Sequence, residues 1–95
     1  MSQVQTPARS SEEIRRFVYE AVRVLVDRPD DIVLEEHAEA TAIRIRLTVH
    51  PSDFGKVIGQ GGKTIQALRL LIAAACSRLH TRYVLEVIDL SRGRR

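Results

Sequence analysis

The chain has 95 residues, 44% of them apolar and 28% charged, a balance that suits one soluble domain with a single modest core and excludes a second. Its formal charge of +3 and isoelectric point near 9.6 are compatible with a polyanionic partner without requiring one. With two Phe, two Tyr and no Trp, the chain offers little for a sheet that reads bases by stacking them on several exposed rings.

Residues 1–9 are polar, contain Pro7 and lack periodicity, so a disordered tail is expected there. Ser10 with Glu13 fits a capping box that opens a helix. Ile14, Phe17, Val18, Ala21, Val22 and Leu25 then fall on one apolar face, with Arg15, Arg16, Glu20 and Arg23 turned to solvent. Arg28-Pro29-Asp30-Asp31 ends the helix, because proline biases its predecessor away from the α region. Residues 32–37 are apolar at their start and bounded by turn residues, and read as a strand. Residues 38–40 reverse the chain, and 41–50 give a half-buried antiparallel strand with Ile43, Ile45, Leu47 and Val49 on one side and Arg44, Arg46, Thr48 and His50 on the other. Pro51 closes this hairpin. Ser52-Asp53 is a candidate N-cap for a short helix, Phe54–Ile58, and a second helix from Lys63 places Ile65, Leu68, Ile72, Ala75, Cys76 and Leu79 on one face. Residues 83–90 form a last strand, and 91–95 a basic tail. The order α–β–β–α–α–β predicts an α+β domain over 10–90, with helices packed on one face of a three-stranded sheet.

The lone Cys76 has no disulfide partner and reads as a reduced, buried residue. No signal peptide is evident and no apolar run approaches ~18 residues. A cytoplasmic protein without membrane insertion is expected.

The densest signal is the run Phe54-Gly55-Lys56-Val57-Ile58-Gly59-Gln60-Gly61-Gly62-Lys63-Thr64-Ile65. Glycines so crowded leave the backbone bare, and a bare loop that opens a helix presents N–H groups and a positive dipole end to anionic oxygens. Gly62-Lys63-Thr64 matches the end of a P-loop, but the first glycine of that motif would fall on Val57. The dinucleotide fingerprint fails as well, since its third glycine would fall on Thr64. Both nucleotide readings are rejected.

A G-x-x-G loop between two helices, in this element order, resembles the KH domain of type II, and in particular the small bacterial single-KH proteins of the KhpA (YlqC) family. The resemblance spans 10–90 and includes Val84-Leu85-Glu86-Val87-Ile88-Asp89 as the closing strand. It implies an RNA-binding module that clamps about four nucleotides of single-stranded backbone at the loop. The expected contacts are Lys56, Ile58, Gly59, Gln60, Gly61, Gly62, Lys63, Thr64 and Ile65. Gly59 and Gly62 let the backbone approach phosphates, while Lys56 and Lys63 supply charge that the neutral Gln60-Gly61 centre lacks. Ile58 and Ile65 are core residues, a groove floor of low sequence specificity, or both. The resemblance places the opposite groove wall on the strand hairpin. It further implies an RNA chaperone or post-transcriptional regulator, a homodimer, and pairing with a larger KH protein of the KhpB (Jag/EloR) type in cell elongation, division, cell shape and cell-wall biogenesis.

The plainer readings stand beside these. Arg44 and Arg46 belong to a solvated sheet back, and His37, His50 and His80 lack metal-ligand spacing, so neither metal nor cofactor is expected. No Ser, Cys or His has a nucleophile's surroundings, and no enzyme is expected. The alternative to RNA binding is a protein-interaction or dimerisation module, served by the alanine-rich second helix, with RNA incidental.

Overall fold

The computed structural model describes residues 7–77 and 79–90. The expected tails therefore lie outside the described residues at 1–6 and 91–95. The first helix, α1, runs Pro7–Arg23. It starts before Ser10, which is inside the helix rather than capping it, and Pro7 takes the first position, where a missing N–H costs nothing. Ile14, Val18 and Val22 form its buried stripe, and Ala21 packs alongside. Phe17, expected on that face, sits at its margin and is 36% exposed.

α1 also ends earlier than Pro29 requires. Leu25 N–H tightens the last turn onto Val22 O (2.9 Å), and the N–H groups of Asp27 and Arg28 leave the helix for the carboxylate of Asp53 (3.1 and 3.0 Å). Asp53 is fully buried. Expected as an N-cap, it makes no cap bond and instead ties the chain after α1 to the turn before the second helix.

Strands β1 (Val33–Ala38) and β2 (Ile43–Thr48) form the expected antiparallel hairpin, closed by Glu39 N–H on Ala42 O at 2.8 Å. The third strand, β3 (Tyr83–Ile88), pairs with β2 in parallel, giving the order β1-β2-β3 with β2 central. A parallel neighbour needs a crossover, and α2 (Phe54–Ile58) and α3 (Lys63–Cys76) supply it. The alternation of β2 behaves as expected. Ile45, Leu47 and Val49 are buried beneath the helices, together with Leu85 of β3. α3 contributes Ile65, Leu68, Ile72 and Cys76 to the same core, whereas Ala75 is exposed and Leu79 packs on the core from beyond the helix. Each such side chain taken fully from water contributes about 1.5–3 kcal/mol.

The sheet back carries half-exposed ion pairs: Arg44 with Glu39 (2.8 Å) and Glu86 (3.8 Å), and Arg46 with Glu86 (3.4 Å). Exposed pairs of this kind add little stability, and the two arginines are occupied with acids, in keeping with a solvated face. Among the described residues, no helix is long and apolar enough to cross a membrane.

Burial pushes the Asp53 carboxyl up, but the two backbone donors and Lys56 outweigh it and hold the group below the ordinary aspartate range. Such a group contributes stability that is complete above its unfolded-state value, about 3.9, and is lost as pH falls through the folded-state value. Asp53→Asn should lower Tm at neutral pH by roughly 4–8 °C. In melts across a pH series, the gap from the parent should hold down to about pH 4 and close below it. A gap that persists at about pH 2 would remove the ionised state of Asp53 as its source.

Candidate nucleic-acid interface

α2 has five residues, and its placement depends on Val57, which is fully buried, with Phe54 and Ile58 half-buried against the core. The helix ends at Gly59, whose N–H closes on Gly55 O (2.8 Å) and whose backbone turns to φ 80°, ψ 168°, a region that essentially only glycine enters. A side chain here would also overlap the Thr64 hydroxyl and come within 2.6 Å of Thr64 Cβ and 2.7 Å of its N. The first turn of α3 thus rests directly on the Gly59 backbone.

Gly61 (φ 64°) and Gly62 (φ 80°) complete a tight left-handed turn, held by Gly62 N–H on Gly59 O (3.1 Å) and by Lys63 N–H on Gln60 O. Its far side opens α3, a 14-residue helix with no side-chain cap and no acid in its first turn. Lys63 N–H is spent on Gln60 O, and the positive dipole end of α3 lies beside exposed Gln60 and Gly61.

The two lysines differ. Lys63 is exposed and forms no ion pair among the described residues. Lys56 points back toward the α1–β1 connection, to Asp27 (3.5 Å) and Asp53 (3.4 Å), and donates to Ser52 O (3.4 Å). The charge of Asp27, chiefly, holds Lys56 above the ordinary lysine value. Of the expected contacts, Gln60, Gly61 and Lys63 are exposed, Ile58, Gly59, Gly62 and Thr64 half-buried, and Ile65 is 5% exposed and belongs to the core.

One flank of α3, with Gly62, Gln66, Arg69 and Ala73 at helical spacing, leads from the loop along β3. Midway, Arg69 donates through Nε and Nη2 to Leu85 O (3.2 and 3.1 Å). A cavity of about 140 Å³ lies there, lined by Arg69, Ile72, Tyr83, Val84 and Leu85. Beyond Tyr83 a wider hollow of about 470 Å³ reaches His80 and Thr41 at the hairpin tip. The wall facing α3 is therefore β3, with the hairpin contributing its tip. Arg69 had no sequence signal beyond its place beside the apolar stripe. Among the described residues, no group of three or more His, Cys, Asp or Glu is placed to hold a metal ion.

A family model described as KhpA/KhpB, KH domain, matches residues 15–87. The chain belongs to that family. It is 41% identical over 76 residues to the RNA-binding protein KhpA of Halalkalibacterium halodurans, covering 80% of this chain and 100% of the relative. Similarity extends to the proteins of the same name from Treponema pallidum (40% over 78 residues, 82% and 94% covered) and Bacillus subtilis (35% over 80 residues, 84% and 99% covered). No solved structure matches. Within this KhpA/KhpB fold, the Gly59–Gly62 turn is the G-x-x-G loop.

The two ends of that turn should respond differently to substitution. Gly61→Ala meets no neighbour within 4 Å and should cost about 1–2 kcal/mol for its left-handed backbone. Gly59→Ala should cost clearly more in urea denaturation, and Thr64→Ala should not rescue it, because Thr64 Cβ and N remain in place. Equal costs at the two glycines would contradict the close approach.

Proposed function

We propose that this chain binds single-stranded RNA, with the Gly59–Gly62 turn seating the phosphate backbone and low overall sequence specificity. The single observation that carries the reading is the start of α3, with no side-chain cap and no acid in its first turn, beside three positive-φ glycines whose backbone no side chain covers. The names of the relatives, each an RNA-binding protein KhpA, support the same ligand. Lys63 adds charge, and Lys56 adds less than its position suggests, since Asp27 and Asp53 already hold it. A single such seat is a weak grip, and a second one in the same assembly raises the effective concentration.

The alanine-rich helix offers a surface for that assembly. On the outer side of α3, Ala67, Leu70, Leu71 and Ala74 form an exposed stripe, with Leu70 73% and Leu71 54% exposed. We assign it to a homodimer, or to pairing with a larger KH protein of the KhpB type, in an RNA chaperone or post-transcriptional regulator of cell elongation and division. The stripe is also the observation that favours the second reading, an interaction module for which RNA is incidental. Residues 10–90 act in either case as one domain.

Gln60→Asp with Gly61→Asp places two acids where phosphate should lie, and Gly61→Asn imposes comparable backbone strain without charge. The double variant should lose RNA binding at a salt concentration where Gly61→Asn keeps it. The parent's log affinity should fall steeply with log salt. A flat slope, or full binding by the double variant, would leave only the interaction module. Leu70→Glu should turn a dimer into a monomer in sedimentation equilibrium. A parent that is already monomeric at high concentration would remove the homodimer.

A further inference from the structure

β1 is the other edge of the sheet, opposite β3. Two bonds set which way its backbone groups point. Glu39 N–H on Ala42 O (2.8 Å) makes these residues a hydrogen-bonded pair, and Ile43 N–H turns the other way, to Arg82 O (2.8 Å) at the entry to β3. By antiparallel alternation Val33, Glu35 and His37 bond to β2, while Leu34, Glu36 and Ala38 turn their N–H and C=O to the free edge. No group among the described residues meets them there. β1 holds no proline, lysine or bulge, and has no counterpart of Arg69 across its carbonyls.

The helix above this edge supplies a wall. Ser11 Oγ donates to the Glu36 carboxylate (3.2 Å) and ties the first turns of α1 to β1. Next to it Glu12, Arg15, Arg16 and Tyr19, at i, i+3, i+4 and i+7, share one flank of α1. With Ile32 and Leu34 they line a hollow of about 320 Å³. Ile32 and Leu34 pack on the core and give it an apolar floor. Arg15 and Arg16 are exposed and form no ion pair among the described residues, and Glu12 is the one acid in the lining. The hollow is net positive.

We infer that the free edge of β1 and this hollow receive an extended segment of a partner protein as a fourth strand. An acidic side chain of that segment lies against Arg15 and Arg16, and an apolar one over Ile32 and Leu34. A row of alternating N–H and C=O groups matches another strand. It does not match a nucleic-acid backbone, whose phosphates only accept. A second copy of this chain fits badly. Antiparallel pairing of β1 with its own copy about either central residue, Glu35 or Glu36, sets like charges directly opposite. It also brings Arg15 and Arg16 toward their own copies. The site lies across the sheet from the groove beside β3, so it adds a partner without displacing the proposed RNA.

The test follows the backbone amide NMR signals of the full chain, titrated to millimolar concentration with short end-blocked peptides. One peptide alternates threonine with valine and glutamate, and a second replaces glutamate by lysine. Two further copies of the first carry N-methyl groups on one or the other alternate set of amides. The glutamate peptide should shift the amides of Leu34, Glu36, Arg15 and Arg16. One methylated copy should fail to bind and the other should bind like its parent, because only every second amide of an added strand meets the edge. The lysine peptide should bind roughly tenfold more weakly, and Arg15→Glu with Arg16→Glu should reverse that order. No shift at β1 overturns the site. So does equal binding by the two methylated copies, which marks charge attraction alone. Shifts of the same amides with protein concentration would give the edge to a second copy, and shifts caused by an oligouridine would give it to RNA. Either result overturns the peptide site.

Discussion

The carboxylate of Asp53 joins the segment after α1 to the turn before α2. Both oxygens accept from backbone N–H groups 25 and 26 residues away, at Arg28 and Asp27, in a site with no solvent exposure. Buried backbone donors must find acceptors, and here a single side chain satisfies two of them. Through that link the chain leaving α1 and the start of α2 are held together. Because α2 is only five residues long, its start and Val57 together determine where Gly59 falls. The glycine turn is thus positioned from a distance by an acid that is itself fully buried.

The same acid affects the electrostatics of the loop. Lys56, one turn along α2, is drawn toward Asp53 and Asp27, which takes positive charge away from a loop whose centre is already neutral. What remains at the surface is geometry: a glycine backbone bare of side chains, a helix dipole and, at the loop, Lys63 without an ion pair among the described residues. Oriented amides of this kind seat a phosphate in a definite place but carry only partial charges. Binding by such a loop would depend on the apolar groove beside it and on multiple sites more than on Coulomb attraction.

Much of this was legible in the residues. The strict alternation from Ile43 to Val49 identified the inward row of β2, because a half-buried strand leaves no other arrangement for those side chains. Pro51 and Gly59 bounded α2 closely, and the spacing of Ile65, Leu68, Ile72 and Cys76 identified the buried face of α3. The misses share a cause. The end of α1 at Arg23 depends on Asp53, the withdrawal of Lys56 depends on Asp27, and Arg69 binds a backbone carbonyl sixteen residues on. Each is a contact between segments far apart in sequence, which local periodicity does not encode. The parallel pairing of β2 with β3 is likewise a matter of topology rather than of either strand's pattern.

The bond from Arg69 to Leu85 also bears on how the molecule avoids its own kind. β3 is an edge strand, and an open row of outward N–H and C=O groups is a template on which another chain can add a strand. The guanidinium across Leu85 O interrupts that row at its middle with a charged, bulky group borne on a helix. A strand arriving from outside would have to displace it and strand its charge against the cavity. Protection against accidental sheet extension therefore comes from a side chain borne on a helix rather than on the strand it guards.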